Sequence, residues 1–157
     1  MYRDNHTGKS QGASVVVQLF ALCFLALSLG APAQAGSQGS PNDILIIANN
    51  SVKADTISQG ELRALFLKKK ANVKGSKVVP INAKRKSTIR MAFQKRILRM
   101  TPDEESAYWE SMKIRKGVTP TIEFRDTFKA VFSVRGGIGY CYRSQYKKGL
   151  VKILREL

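Results

Sequence analysis

The stretch Val78–Phe93 most restricts the fold, because a strand pattern passes directly into a helix pattern. Its first four residues, Val78–Ile81, form an apolar run that is typical of a buried strand. Ser87 then has the properties of a helix N-cap. The apolar residues that follow it recur at helical spacing: Ile89, Phe93, Ile97 and Met100. We therefore expect a strand, a tight turn and a helix.

Three cations, Lys84, Arg85 and Lys86, occupy the turn between this strand and this helix. The first N–H groups of a helix have no partner within the helix, and the helix dipole favours negative charge there. The turn is therefore a candidate oxyanion site. The alternative is an ordinary capped helix behind a solvated basic loop.

The rest of the chain alternates between strand and helix patterns. A continuously apolar strand is predicted at Ile44–Ala48, and capping boxes at Ser58–Glu61 and Thr101–Glu104 begin two helices. A helix is predicted over Glu123–Val134, followed by strands at Ile138–Tyr142 and Leu150–Leu154. This order favours an α/β fold, a layered sheet flanked by helices.

Several conspicuous side chains are expected to belong to the core. The first helix should bury Leu62, Leu65 and Phe66, and Trp109 should anchor the helix that begins near Thr101. Core packing is also expected for Phe124, Phe128 and Phe132. Cys141, inside a predicted strand, is interpreted as a buried structural thiol rather than a nucleophile.

The N-terminal residues 1–35 have the pattern of a secretory signal peptide. An apolar run over Val15–Leu29 precedes the small-residue motif Ala33-Gln34-Ala35, which predicts cleavage before Gly36. A membrane anchor is the alternative, but the run is shorter than the roughly 20 residues of a spanning helix. We predict a periplasmic protein with a flexible leader over residues 36–42 and one α/β domain over residues 43–157.

After this cleavage the chain would carry 25 Lys and Arg against 10 Asp and Glu, a formal charge of +15. So basic a chain is expected to contact something anionic. Export and the absence of aromatic residues between the basic clusters disfavour nucleic acid. The chain's one histidine, His6, leaves with the signal peptide, so neither a metal site, a cofactor nor a catalytic pair is predicted. The acids of the middle section suggest no nucleophile and base, so no enzyme is predicted.

Two asparagines follow predicted strands and are candidate hydrogen-bond donors to the anion. Asn49 ends the strand Ile44–Ala48, and Asn82 ends the strand Val78–Ile81. Ligands of layered α/β sheets bind at the carboxyl ends of strands. If these two strands are parallel, both turns lie at one edge of the sheet.

The ordered set of motifs resembles the small periplasmic-binding-protein-like domains related to phosphate-binding proteins of ABC transporters. The matching segments are Ile57–Leu67, Val78–Ile81, Ser87–Phe93, Ala107–Trp109 with Gly117, and Gly137–Tyr140. They cover most of residues 44–142 in the same order and spacing. The resemblance implies a type 2 periplasmic-binding fold, export and oxyanion binding.

In full-length phosphate binders, Ser-Gly-Thr begins the second-lobe helix, and an Asp precedes it. Ser87 matches the Ser, whereas Thr88 and Ile89 replace Gly and Thr, and Arg85 stands near the acidic position. The ligand residues expected from the turn and the resemblance are Ser87, Thr88, Arg85, Lys86, Asn82 and Asn49. The chain has room for about one lobe, so weak binding or a cleft completed by a partner is expected.

Two functions therefore remain open. The first is an exported solute-binding protein for phosphate or a similar oxyanion, with an ABC transporter permease or another envelope protein as its partner. The second is an interaction module that has lost the ligand. Its basic surface would dock on an acidic partner or on the cell envelope.

Overall fold

The computed structural model describes residue 40 and residues 42–157. The predicted signal peptide, its cleavage site and most of the predicted leader lie outside the described residues. In residues 42–157, no helix is both long enough and apolar enough to cross a membrane.

Eight strands and four α-helices form the described part of the chain. The strands are β1 (Ile44–Ala48), β2 (Asn72–Val73), β3 (Ser76–Lys77), β4 (Val79–Pro80), β5 (Asn82–Ala83), β6 (Glu123–Phe124), β7 (Gly137–Tyr142) and β8 (Lys152–Glu156). The α-helices are α1 (Gln59–Phe66), α2 (Thr88–Phe93), α3 (Pro102–Lys116) and α4 (Thr127–Ser133). A π-helical segment, Gln94–Leu98, continues α2, and residue Arg99, with a φ of 51°, ends it.

The main sheet has the strand order β4-β7-β1-β8. β4 runs parallel to β7, whereas β1 is antiparallel to both β7 and β8. Every residue of β1 is buried, as its continuous apolar sequence predicted. Successive side chains of a strand point to opposite faces, so β1 contributes to two cores.

One core contains Ile44, Ile46 and Ala48 of β1 together with apolar residues of α1 and α2. The opposite core contains Leu45 and Ile47 together with residues of α4. Helices therefore cover both faces of the sheet, and the predicted layered α/β fold is confirmed.

Both predicted capping boxes are present. The Ser58 hydroxyl accepts from the Glu61 N–H, and the Thr101 hydroxyl accepts from the Glu104 N–H. The predicted core positions of α1 (Leu62, Leu65 and Phe66) and Trp109 of α3 are buried. Cys141 is a free, buried thiol, as predicted.

The predicted helix over Glu123–Val134 is wrong at its beginning. Glu123 and Phe124 form β6, which pairs in parallel with β5, and Asp126 then caps α4. Phe128 of this shorter helix is buried, whereas Phe132 is 48% exposed, so the predicted core position of Phe132 is wrong. The predicted start of the last strand also differs, because β8 begins at Lys152 rather than at Leu150. Residues 72–77 form a hairpin for which no strand was predicted.

Candidate functional site

The candidate oxyanion site is the turn between β5 and α2. Lys84, Arg85 and Lys86 are all exposed there, and Ser87 is the N-cap of α2. Of the four α-helices in residues 42–157, α2 alone has an N-cap side chain that accepts no N–H of its helix. The Ser87 hydroxyl instead donates to the Lys84 carbonyl at 2.7 Å. Ser87 therefore stabilises the turn and leaves the first N–H groups of the helix uncapped.

A carboxylate, Glu123 of β6, lies against this turn. Its Oε2 accepts from the Arg85 N–H at 3.3 Å, and its Oε1 lies 3.9 Å from Arg85 Nε. The side chains of Arg85 and Glu123 are 50% and 34% exposed, so water screens this pair. The carboxylate already uses one backbone donor of the turn, and its charge opposes a second anion beside it.

The first residue of α2, Thr88, is exposed and is linked to the end of β7. The Tyr142 hydroxyl donates to Thr88 Oγ1 at 3.2 Å. This contact places the turn at the end of the main sheet where β7 finishes. The Thr88 hydroxyl proton stays free for a bond to an external acceptor.

Asn82 lies behind the turn and is committed to internal contacts. It is 3% exposed, and its Oδ1 accepts from Arg90 Nη1 at 2.9 Å and from the Tyr140 hydroxyl at 3.1 Å. The Tyr140 hydroxyl also accepts from the Ala83 N–H at 3.2 Å. Asn82 therefore holds β5 against β7 and does not reach the surface of the turn.

Asn49 lies at the opposite end of the sheet. β4 is parallel to β7, whereas β1 is antiparallel to it, so β1 and β4 run in opposite directions. The turns that follow these two strands therefore do not share one edge of the sheet. The Asn49 N–H donates to the carbonyl of Gly137, the first residue of β7, whereas Thr88 contacts Tyr142, the last one. The strand rises by five residue steps between these ends, or roughly 17 Å. The Asn49 side chain donates to the Val131 and Phe132 carbonyls of α4 instead.

Sequence reasoning missed the buried ion pair beneath the site, Arg90 with Glu105. Arg90 Nη2 donates to Glu105 Oε1, and the two side chains are 2% and 4% exposed. The same carboxylate oxygen accepts from the Trp109 indole at 3.2 Å. The sequence did contain an indication of this pair, because Arg90 falls on the helix face that includes Phe93 and Ile97. A cation on an apolar face requires a buried partner.

Tyr140 joins this network to the aromatic part of the core. Its ring stacks on Phe93 at a centroid distance of 4.0 Å and lies 5.9 Å from Phe66. Burial raises the pKa of the Tyr140 hydroxyl to about 12. The hydroxyl is therefore neutral at physiological pH and acts as a fixed hydrogen-bonding group rather than as an acid or base.

The turn thus unites Arg85, Lys86, Ser87 and Thr88 at one surface, with Asn82 buried behind them and Asn49 remote. It offers backbone donors, hydroxyl groups and positive charge, which suit an oxyanion. Among the described residues, no group of three or more His, Cys, Asp and Glu side chains is placed to hold a metal ion.

Comparisons with known proteins identify the fold. No family model matches this chain, and no curated protein does. Among solved structures, it is similar to an ABC-type phosphate transport receptor from Vibrio cholerae, with a TM-score of 0.56 at 15% identity. That match covers 72% of this chain and 45% of the receptor.

A second similar structure is described as a phosphate ABC transporter substrate-binding protein with bound phosphate, from Clostridium perfringens. Its TM-score is 0.54 at 17% identity, over 72% of this chain and 44% of that protein. This chain therefore spans less than half the length of the solved structures it matches. The similarity confirms the predicted fold, which corresponds to about half of a phosphate-binding protein.

Proposed function

We propose that this protein binds phosphate or a similar small oxyanion at the turn between β5 and α2, after export, in the service of ABC-type uptake. The observation that carries the proposal is the uncapped start of α2 beside three exposed cations. The similarity to two structures described as phosphate-transport proteins supports the choice of anion.

Each group of the turn has a defined part in the proposed site. The N–H groups of the first turn of α2 and the Thr88 hydroxyl donate to the anion oxygens, and Lys86 and Arg85 supply charge. Ser87 positions the turn through its bond to the Lys84 carbonyl. Because the site is open to water and Glu123 lies beside Arg85, we expect weak binding that salt weakens further.

Titration calorimetry of the full chain with phosphate, and with sulfate as the control anion, tests this proposal. We expect saturable phosphate binding that sulfate does not reproduce. The double variant Arg85→Gln/Lys86→Gln should lose it. The matched control Arg115→Gln/Lys116→Gln removes the same charge from the exposed end of α3 and should keep it. Equal loss of binding in the two variants would reject the site, and saturable sulfate binding of equal strength would reject the choice of phosphate.

A second candidate function is that of an interaction module that has lost the ligand. It is favoured because several residues predicted to bind the anion instead form hydrogen bonds within the fold. Asn82 and Asn49 bond within the fold, and Glu123 takes the Arg85 N–H. A module of this kind would retain its basic surface for an acidic partner. Binding to an immobilised acidic peptide at about 0.15 M salt tests it. Binding that disappears with salt would indicate only nonspecific charge.

A further inference from the structure

We infer a second, separate anion site at the opposite end of the main sheet, suited to a small ligand with two or more adjacent phosphate groups. A cavity of about 370 Å³ opens there. The residues that carry the inference line it: Ser51, Lys53, Ser76, Lys77, Arg135 and Gly136. We call this cavity the basic pocket.

The walls of the basic pocket come from segments that are distant in sequence and are tied together by hydrogen bonds. The Lys53 N–H donates to Ser76 Oγ at 3.1 Å, which joins the loop after β1 to the β2–β3 hairpin. The Gly136 N–H donates to Ser51 Oγ at 2.9 Å, which joins the same loop to the start of β7. The cavity is therefore held by the fold and does not depend on one surface loop.

The charged side chains that line the basic pocket are all cationic hydrogen-bond donors. Lys53, Lys77 and Arg135 carry positive charge, and none of the described residues that line the pocket is an Asp or Glu. No carboxylate of residues 42–157 forms an ion pair with these three cations. Their field therefore favours an anion from outside.

The hydroxyl groups of Ser51 and Ser76 also favour a negatively charged ligand. Each hydroxyl oxygen already accepts a backbone N–H, Ser51 from Gly136 and Ser76 from Lys53. Their hydroxyl hydrogens can therefore be donated to a ligand oxygen. An acceptor-rich ligand fits this lining, and a cation does not.

The arrangement of the cations favours several negative groups over one. The three cations come from three different chain segments around the cavity: the loop after β1, the β3 strand and the turn before β7. A single monovalent ion would use few of these donors, and exposed charge contacts are individually weak. Adjacent phosphate groups present many acceptor oxygens, and arginine binds such groups through paired N–H bonds.

The backbone at Gly136 packs closely on β3. Gly136 has a φ of 76°, and a Cβ atom there would meet the Lys77 carbonyl oxygen at 2.8 Å. The hairpin turn also uses positive φ, 43° at Lys74 and 76° at Gly75. Close packing of Gly136 on β3 thus brings Arg135 and Lys77 to one cavity.

Titration of the full chain with inorganic pyrophosphate tests the inference. The triple variant Lys53→Gln/Lys77→Gln/Arg135→Gln should bind about tenfold more weakly than the unmodified chain, as expected for the loss of three exposed charge contacts. The matched variant Lys113→Gln/Arg115→Gln/Lys116→Gln removes the same charge from α3, and its affinity should stay within about twofold.

Nuclear magnetic resonance locates the binding independently of affinity. Saturable shifts of the Gly75 and Gly136 amides on addition of pyrophosphate are expected, and they should persist in Arg85→Gln/Lys86→Gln. Undetectable binding, equal weakening in both triple variants, or shifts confined to the Ser87 turn would each overturn the inference. The two sites are tested with different variants. Pyrophosphate binding at the basic pocket can therefore be judged even if the turn at Ser87 binds no phosphate.

Discussion

The Arg90 guanidinium and the Glu105 carboxylate form an ion pair inside the protein, with only 2% and 4% of their side chains exposed. The pair connects α2 to α3, and Arg90 extends it to Asn82 of β5. Trp109 donates to the same carboxylate, so the indole is fixed as well. α2, which begins at the candidate site, is thus fixed to α3 by a buried ion pair on its apolar face.

Replacing Glu105 by Gln should destabilise the protein strongly. The substitution keeps the shape of the side chain but leaves the Arg90 charge buried without a counter-charge, which typically costs about 3–5 kcal/mol. Urea unfolding measures the change in the free energy of unfolding. Glu110→Gln on the exposed side of α3 is the control and should change it by less than about 0.5 kcal/mol. Similar losses in both variants would show that the pair is not a buried contact.

The caps of α2 and α3 should respond differently to alanine. Thr101→Ala removes a side chain that caps α3, and we expect a loss of about 1 kcal/mol in the free energy of unfolding. Ser87→Ala should cost less, because the Ser87 hydroxyl caps no N–H of α2 and bonds only within an exposed turn. Thermal and urea unfolding of the two variants provide the comparison. A larger loss for Ser87→Ala would contradict the uncapped helix start.

Alanine substitutions at two glycines with the same φ should distinguish the cost of backbone strain from the cost of a steric clash. Gly75 and Gly136 both have a φ of 76°, so Ala is strained at either position by roughly 1–2 kcal/mol. A Cβ at Gly75 meets nothing within 4 Å, whereas one at Gly136 meets the Lys77 carbonyl oxygen at 2.8 Å. Gly136→Ala should therefore lose about 1–3 kcal/mol more than Gly75→Ala in urea unfolding. Equal losses would mean that β3 and β7 are not closely packed there.

Alkaline pH should destabilise the protein through Cys141. Burial, and secondarily the negative charge of Asp126, raise the pKa of the thiol from 9.0 to about 12. The folded state therefore holds this proton more tightly than the unfolded state does. The resulting stability is complete below pH 9.0 and is lost as the pH rises towards 12, at up to about 1.4 kcal/mol per pH unit.

Urea unfolding between pH 8 and pH 10 measures this loss. Cys141→Ala should show a flatter decline over the same range, because the titrating thiol is absent. Tyr140, whose pKa is also raised to about 12, contributes mainly above its usual value of 10.0. The same pH slope in both proteins would exclude Cys141 as the source.

Local patterns were sufficient for much of the fold. The capping boxes at Ser58 and Thr101 were predicted because the residues that form them lie three positions apart. The buried strand Ile44–Ala48 was predicted because its apolar run has no polar face. The resemblance in fold was also visible from the order of such motifs, at sequence identities of only 15% and 17% to the solved structures.

Other features depended on contacts between distant residues. Glu123 and Phe124 follow a helical apolar pattern, yet they form a strand because β5 offers a parallel partner. Phe132, near the end of α4, is 48% exposed, although its helical spacing from Phe128 predicted a core position. Tertiary pairing overrides the local pattern at Glu123 and Phe124, since the preference for a strand depends strongly on the surrounding structure.

The sequence by itself determined the two capping boxes, the buried strand, the basic turn and the apolar faces of the helices, since each depends on residues a few positions apart. The tertiary structure alone decided that β1 and β4 run in opposite directions, which separates Asn49 from the turn at Ser87. It also decided that Arg90 meets Glu105 and that three cations surround the basic pocket. Strand direction and long-range pairing depend on the packing of the whole sheet, which no short segment encodes.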